Sequence, residues 1–194
     1  MQTGTTSPRT DPRAARTRRL IEEAFFAVME EKGFERLSVQ DVASRAGINR
    51  VTFYAHFADK YALLRYWIRS SLSSEIERRE LCSRRLDEES VSELFRLVCG
   101  YVSSARDHCK PPHEQLNWLL ETEIRRLSAE IIEEWLIRSE TDFSAGEEQH
   151  RLAAVAAGAA MYGLVEQWLR SDRREPTDRF IAASQPLVTA ILGI

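Results

Sequence analysis

Apolar residues recur at intervals of three and four along almost the whole chain. Leu20, Ile21, Ala24, Phe25, Val28 and Met29 form one such stripe, and Val91, Leu94, Phe95, Val98, Cys99 and Val102 form another. This spacing lines up side chains on one face of a helix. Period-two alternation is absent and β-branched residues are scattered, so no strand is expected. The pattern predicts an all-α protein.

Caps and breakers divide the stripes into helices. Asp11-Pro12 suits the N-cap and first position of a helix that Gly33 stops, with Lys32 beside its last carbonyls. Ser38 to Asp41 reads as a capping box with Asp in place of Glu. It opens a short helix with Val39, Val42, Ala43 and Ala46 facing inward, ended by Gly47. Asn49 caps a third helix, Arg50 to about Phe57. Asp59 caps a fourth that runs through Leu72 towards Leu81. Ser90 starts a fifth. Lys110-Pro111-Pro112 breaks the chain, and a long helical stretch follows from about His113 to Ser139, interrupted near Ser128. Ser144 to Glu147 is a second capping box, opening the most apolar helix, roughly Gly146 to Ser171. Glu175-Pro176 starts a last helix that ends at Gly193 and is kinked at Pro186. Residues 1–10 are expected to be a mobile polar tail.

Composition narrows the class. The chain has 194 residues, 43% apolar and 29% charged, enough for one or two small domains with a real core. Three cysteines, an odd number, argue against a disulfide framework and for a reducing cytosol. The N-terminal segment has no apolar core of a secretory signal. The longest apolar run, Leu152 to Val165, is 14 residues, short of the roughly 20 that span a bilayer. A cytoplasmic protein is expected. Charge is unevenly spread. Residues 1–71 hold 12 Lys and Arg against 8 Asp and Glu, and residues 72–194 hold 15 against 22. A basic first third suggests contact with nucleic acid at one end.

Enzyme signatures are missing. There is no Gly-x-Ser-x-Gly, no His-Glu-x-x-His and no phosphate-binding glycine loop, and the acidic pairs sit as solvated residues on amphipathic helices. Cys82, Cys99 and Cys109 make no metal pattern, and His108-Cys109 with His113 lacks a further ligand at a fitting spacing. No catalysis, metal or cofactor is expected.

Residues 12–57 carry the functional signal. Two short helices joined through Gly47, with the small Ala43 four residues earlier, have the spacing of a helix-turn-helix. On the second of these helices Phe53 and Phe57 lie four apart and face inward with Ile48. That leaves Arg50, Val51, Thr52, Tyr54, Ala55 and His56 outward or flanking the core. Hydroxyl and imidazole groups on a solvated face suit phosphate oxygens. Arg50 in the first turn can fork onto guanine O6 and N7, and Val51 can meet a thymine methyl.

Residues about 16–64 resemble the N-terminal DNA-binding domain of the TetR family of transcriptional regulators. The resemblance rests on Gly33-Phe34, Ser38-Val39, Asp41-Val42-Ala43, Ala46-Gly47, Thr52-Phe53-Tyr54, His56-Phe57 and Lys60. It implies a helix-turn-helix domain over residues 11–58 and a helical ligand-binding and dimerisation domain over residues 59–194. By that resemblance the helix from Arg50 is the recognition helix. Ser38, Thr52, Tyr54, His56 and Lys60 would bind the DNA backbone and Gln40 a base or phosphate, while Arg50 and Val51 would read bases, with Ala55 a lesser candidate. Arg13, Arg16, Arg18 and Arg19 would steer binding or reach the minor groove.

For the remainder the resemblance is one of general layout. It implies a homodimer formed by the last two helices, through Ala153, Ala157, Met161, Leu164, Val165, Trp168, Leu169, Ile181, Leu187, Val188 and Ile191. An intrachain core is the alternative for each. A sensor would also enclose a small-molecule effector among the middle helices, where Trp67, Phe95, Cys99, Tyr101, Trp118 and Tyr162 are candidates. The expected partners are thus a double-stranded, palindromic operator, a second copy of the chain and an effector. The leading reading is a ligand-released repressor. The alternative is an activator or a protein-controlled regulator of the same fold.

Overall fold

The computed structural model describes residues 12–108, 114–139, 146–171 and 175–194, and every regular element among them is helical. In chain order these are α1 (Pro12–Lys32), α2 (Val39–Arg45), α3 (Arg50–His56), α4 (Lys60–Arg78), a 3₁₀ turn (Leu81–Ser83), α5 (Glu88–His108), α6 (Glu114–Arg138), α7 (Glu147–Arg170) and α8 (Thr177–Leu192). The chain divides into two compact units after Leu64, so that α4 begins in the first and ends in the second. The expected tail, Cys109, His113 and Ser144 lie outside the described residues.

The first unit is built on the stripe of α1. Ile21, Ala24, Phe25, Val28 and Met29 are all buried. Gly33 ends the helix in the left-handed region at φ 75°, and its N–H closes back on the Met29 carbonyl at 2.8 Å. The chain then turns so that the Phe34 ring meets Phe25 and Tyr61 edge-on, at 6.3 and 5.3 Å between centroids. Val42 and Ala43 of α2 and Phe53 of α3 complete this core.

The second unit packs α7 between α6 and α8, with α5 against α7 and α8. Gly158 permits the α6–α7 approach. A Cβ there would lie 3.0 Å from the Arg125 carbonyl oxygen and 3.2 Å from the Ala129 nitrogen. Ser128 is buried at this crossing, and α6 runs unbroken from Glu114 to Arg138, so the expected interruption near Ser128 is absent. Phe180 of α8 stacks on Trp168 of α7 at 5.0 Å and meets Phe95 of α5 edge-on at 6.1 Å. Gln185 of α8 accepts a hydrogen bond from the Ser92 hydroxyl and donates to the Glu88 carbonyl, at 2.7 and 2.9 Å.

Two expected boundaries move. α5 starts at Glu88, because the Asp87 carboxylate accepts the Ser90 N–H at 2.7 Å and leaves Ser90 buried inside the first turn. α4 stops at Arg78, well short of Leu81. Glu80 then takes a left-handed conformation at φ 54°, and Trp135 of α6 donates from Nε1 to the Leu81 carbonyl at 2.8 Å. α8 runs through Pro186 and is capped by Gly193, the end expected for it. Proline removes the bond to the Ala182 carbonyl, and Ala182 and Pro186 both lie on the exposed face of the helix. α7 has the length and composition to cross a membrane, despite its short uninterrupted apolar run. Seven of its residues are nevertheless buried by the packing of α7 within the second unit, which is how a core helix passes the same test.

Candidate nucleic-acid interface

The site is the α2–turn–α3 pair, and its local geometry follows from caps. Ser38 precedes α2 in an extended conformation. Its hydroxyl donates to Asp41 Oδ2 at 2.7 Å and accepts the Asp41 N–H at 3.2 Å, while its own N–H donates to Asp41 Oδ2 at 3.0 Å. Lys32 at the end of α1 donates to Asp41 Oδ1 at 2.7 Å. The Lys32 ammonium and the two Ser38 donors hold the Asp41 carboxyl down at about 2, so it is ionised throughout the neutral range. A second tie between these helices joins Arg45 to Glu31. These ties fix α2 against the end of α1.

The turn is closed by the Ile48 N–H on the Ala43 carbonyl at 3.0 Å, with Gly47 left-handed at φ 67°. Asn49 then caps α3. Its Oδ1 accepts both the Thr52 N–H, at 2.7 Å, and the Thr52 hydroxyl, at 2.9 Å. Phe53 is fully buried and Phe57 nearly so, which turns the opposite face of α3 to solvent. Val51 is 79% exposed and Tyr54 48%, and Arg50 and Ala55 are exposed beside them. Arg50 lies along this face, with Nη2 donating to the Tyr54 hydroxyl at 3.3 Å and its guanidinium carbon 5.8 Å from the ring centroid.

The structure therefore brings Arg50, Val51 and Tyr54 together on one exposed surface, with Ala55 beside them. His56 is half-buried at the last position of α3. Gln40 is exposed on α2 and donates to the Ser44 hydroxyl at 3.0 Å. Two expected phosphate ligands have their hydroxyl protons engaged, Ser38 by Asp41 and Thr52 by Asn49. Lys60 departs furthest from expectation. All three of its protons are directed at carbonyls of its own unit: Phe34 at 3.0 Å, Glu35 at 3.1 Å and Leu37 at 3.0 Å. Asn49, the expected cap of α3, also orders the Thr52 hydroxyl. The i, i+3 spacing that identifies it as a cap also places its oxygen on Thr52.

In the second unit, Trp67 and Tyr101 line an open cleft of about 500 Å³ between α4 and α5, with Ser71, Ser74, Glu75 and Arg79. The Ser71 and Tyr101 hydroxyls are hydrogen-bonded to each other. The other four proposed ligand contacts are elsewhere. Phe95 and Cys99 are packed in the core, and desolvation pushes the Cys99 thiol up to about 12. Tyr162 is buried, its hydroxyl likewise pushed up to about 12, and Trp118 is 61% exposed. Six of the proposed dimer contacts, Ala157, Met161, Val165, Trp168, Ile181 and Val188, are buried within the single chain because α7 sits between its neighbours. Leu187 and Ile191 remain exposed, and Ala153, Leu164 and Leu169 are half-exposed. Beside them lie exposed apolar residues that were not anticipated: Leu152 and Val155 on α7, and Ile194 after α8.

Residues 17–66 match the model of a family described as bacterial regulatory proteins, tetR family. An uncharacterised helix-turn-helix-type transcriptional regulator of Bacillus subtilis (strain 168), YxbF, is 26% identical over 159 residues, which cover 80% of this chain. The chain spans only 41% of that relative's length. Among solved structures, the TetR-family repressor AlkX from Dietzia superposes with a TM-score of 0.60 at 20% identity, over 99% of both chains. The regulator FadR from Bacillus subtilis, solved in complex with stearoyl-CoA, superposes with a TM-score of 0.52 at 18% identity, over 91% of this chain and 98% of its own. At these identities the superpositions establish a shared fold.

Proposed function

We propose that this chain, whose residues 17–66 match the tetR-family model, is a regulator of that family and acts as a cytoplasmic homodimeric repressor. It binds a palindromic operator through α3 and is released by a small-molecule effector. The observation that carries the reading is the exposed face of α3. Val51 is 79% exposed, Arg50 lies along the same face, and Tyr54, whose ring meets Phe53 edge-on at 5.7 Å, holds its hydroxyl beside them. They match what a major groove offers: thymine methyls, guanine edges and phosphates. Arg50 and Val51 read bases. Tyr54, His56 and Gln40 fix the register on the backbone.

Dimerisation is assigned to the apolar face that the single chain leaves uncovered. On α8 this face runs through Ala183, Leu187 and Ile191 to Ile194, and on α7 through Leu152 and Val155. A twofold dimer carries two copies of α3, which matches a palindromic operator with two half-sites. The α4–α5 cleft is assigned to the effector, since apolar Trp67 and Leu97 face hydroxyls there. An effector bound in it would shift α4, the helix that begins in the first unit. FadR, which shares the fold, was solved with stearoyl-CoA.

Binding to DNA upstream of the protein's own gene, followed by fluorescence anisotropy across a salt series, tests the reading. Wild type is expected to bind tightly and to weaken steeply with salt. Arg50→Ala is expected to lose about 1–3 kcal/mol against the preferred sequence and to relax preference at one base position. Tyr54→Ala should weaken binding on all sequences alike. Equal losses for Arg50→Ala on every duplex would contradict its role as a base reader.

A further inference from the structure

Lys60 is the first residue of α4, the position at which a positive charge is least welcome to the helix dipole. Its surroundings explain the placement. Three carbonyl oxygens, those of Phe34, Glu35 and Leu37, converge on the ammonium at 3.0–3.1 Å. The rings of Phe34 and Tyr61 lie beneath it, with centroids at 4.7 and 5.6 Å. An ammonium has three protons, and three carbonyls take them. The segment it gathers runs directly into Ser38, the N-cap of α2.

We infer that Lys60 is a positioning residue, one that binds the start of α4 to the segment entering α2, and that it is not a phosphate ligand. To reach a phosphate the ammonium would abandon three carbonyls, two of them in part-buried hydrogen bonds, and release the chain that sets the angle of α2. The tie also gives any displacement of the start of α4 a direct route to α2. Its effect on DNA rests on the reading of α2 and α3 given above. The tie itself does not.

Full-length Lys60→Met and Lys60→Arg are compared with wild type in two ways. The first is amide exchange without DNA, read at Leu37, Asp41 and Val42, whose N–H groups bond to the Phe34 carbonyl, the Ser38 hydroxyl and the Ser38 carbonyl. The second is affinity across a salt series for a duplex that wild type selects from a random library. Both variants are expected to exchange at least about tenfold faster at these amides, since each hydrogen bond to a charged group contributes to holding the segment. Both should bind DNA about tenfold more weakly at every salt concentration, with the wild-type salt slope. Arginine fails along with methionine because a planar fork cannot place three protons on three converging carbonyls. The inference is overturned if Lys60→Arg keeps wild-type affinity and exchange while Lys60→Met loses about 0.9 from the slope, the signature of one lost phosphate contact. If Lys60→Met does not fold, Lys60→Arg carries the comparison alone. If wild type selects no duplex, the functional reading fails, and exchange decides this inference: unchanged protection in Lys60→Arg overturns it.

Discussion

Phe53→Ala is expected to abolish DNA binding while leaving the second unit folded. Phe53 is fully buried beneath α3, its ring 6.0 Å from that of Phe57. Truncating such a side chain costs about 3–5 kcal/mol, through lost transfer energy and the cavity left behind. The first unit ends at Leu64, and a domain of that size has little more than this in reserve. α3 has only seven residues and one side-chain cap, so it cannot hold its shape without the core beneath it. Amide exchange should accelerate through α1, α2 and α3 and stay unchanged in α6 and α7. By anisotropy, affinity should fall by at least about 100-fold on every sequence. Wild-type affinity in this variant would show that α3 does not depend on its buried face.

Trp135→Ala is expected to destabilise the second unit by about 3–5 kcal/mol, with a further penalty for the carbonyl it orphans. Trp135 is fully buried on α6, and its Nε1 donates to the Leu81 carbonyl at 2.8 Å. That carbonyl belongs to the turn that ends α4, where Glu80 is held left-handed at φ 54°. A non-glycine residue in that region stores about 1–3 kcal/mol of strain and persists only where its surroundings demand it. Trp135 and Arg138, whose guanidinium donates to the Cys82 carbonyl, supply that demand. Trp135→Phe keeps an aromatic ring but removes the hydrogen bond, for about 1 kcal/mol, together with part of the indole volume, and should cost less than Trp135→Ala. Urea unfolding of the full chain separates the two. A loss under about 1 kcal/mol for Trp135→Ala would mean that the turn holds itself.

The features legible in the sequence are the local ones. Ser38 with Asp41, Asn49 with Thr52 and Asp59 with Ala62 are caps three residues apart, and each forms as its spacing predicts. The stripe of α1 is buried from Ile21 to Met29, while its first expected member, Leu20, lies at the edge of the stripe and is 39% exposed. What escaped the sequence depends on distant partners. The turn that follows α4 is tied at the Leu81 carbonyl by Trp135, 54 residues further on. The three carbonyls that take the Lys60 protons lie 23 to 26 residues upstream, where no local pattern announces them. α7 is apolar on nearly every side, so no helical wheel separates its core face from its open one. Met161 and Val165 went to the core, and Leu152 and Val155 stayed outside.

The central claim is that two copies of α3 read a twofold DNA site. Selection of duplexes from a random library by the full-length protein tests it most directly, run beside Arg50→Ala. The account predicts an enriched palindrome whose half-sites lie one helical turn apart, about 34–36 Å, or a multiple of that, with one position losing its preference in Arg50→Ala. No enrichment over the input, or the same enriched sequence with and without Arg50, would contradict it.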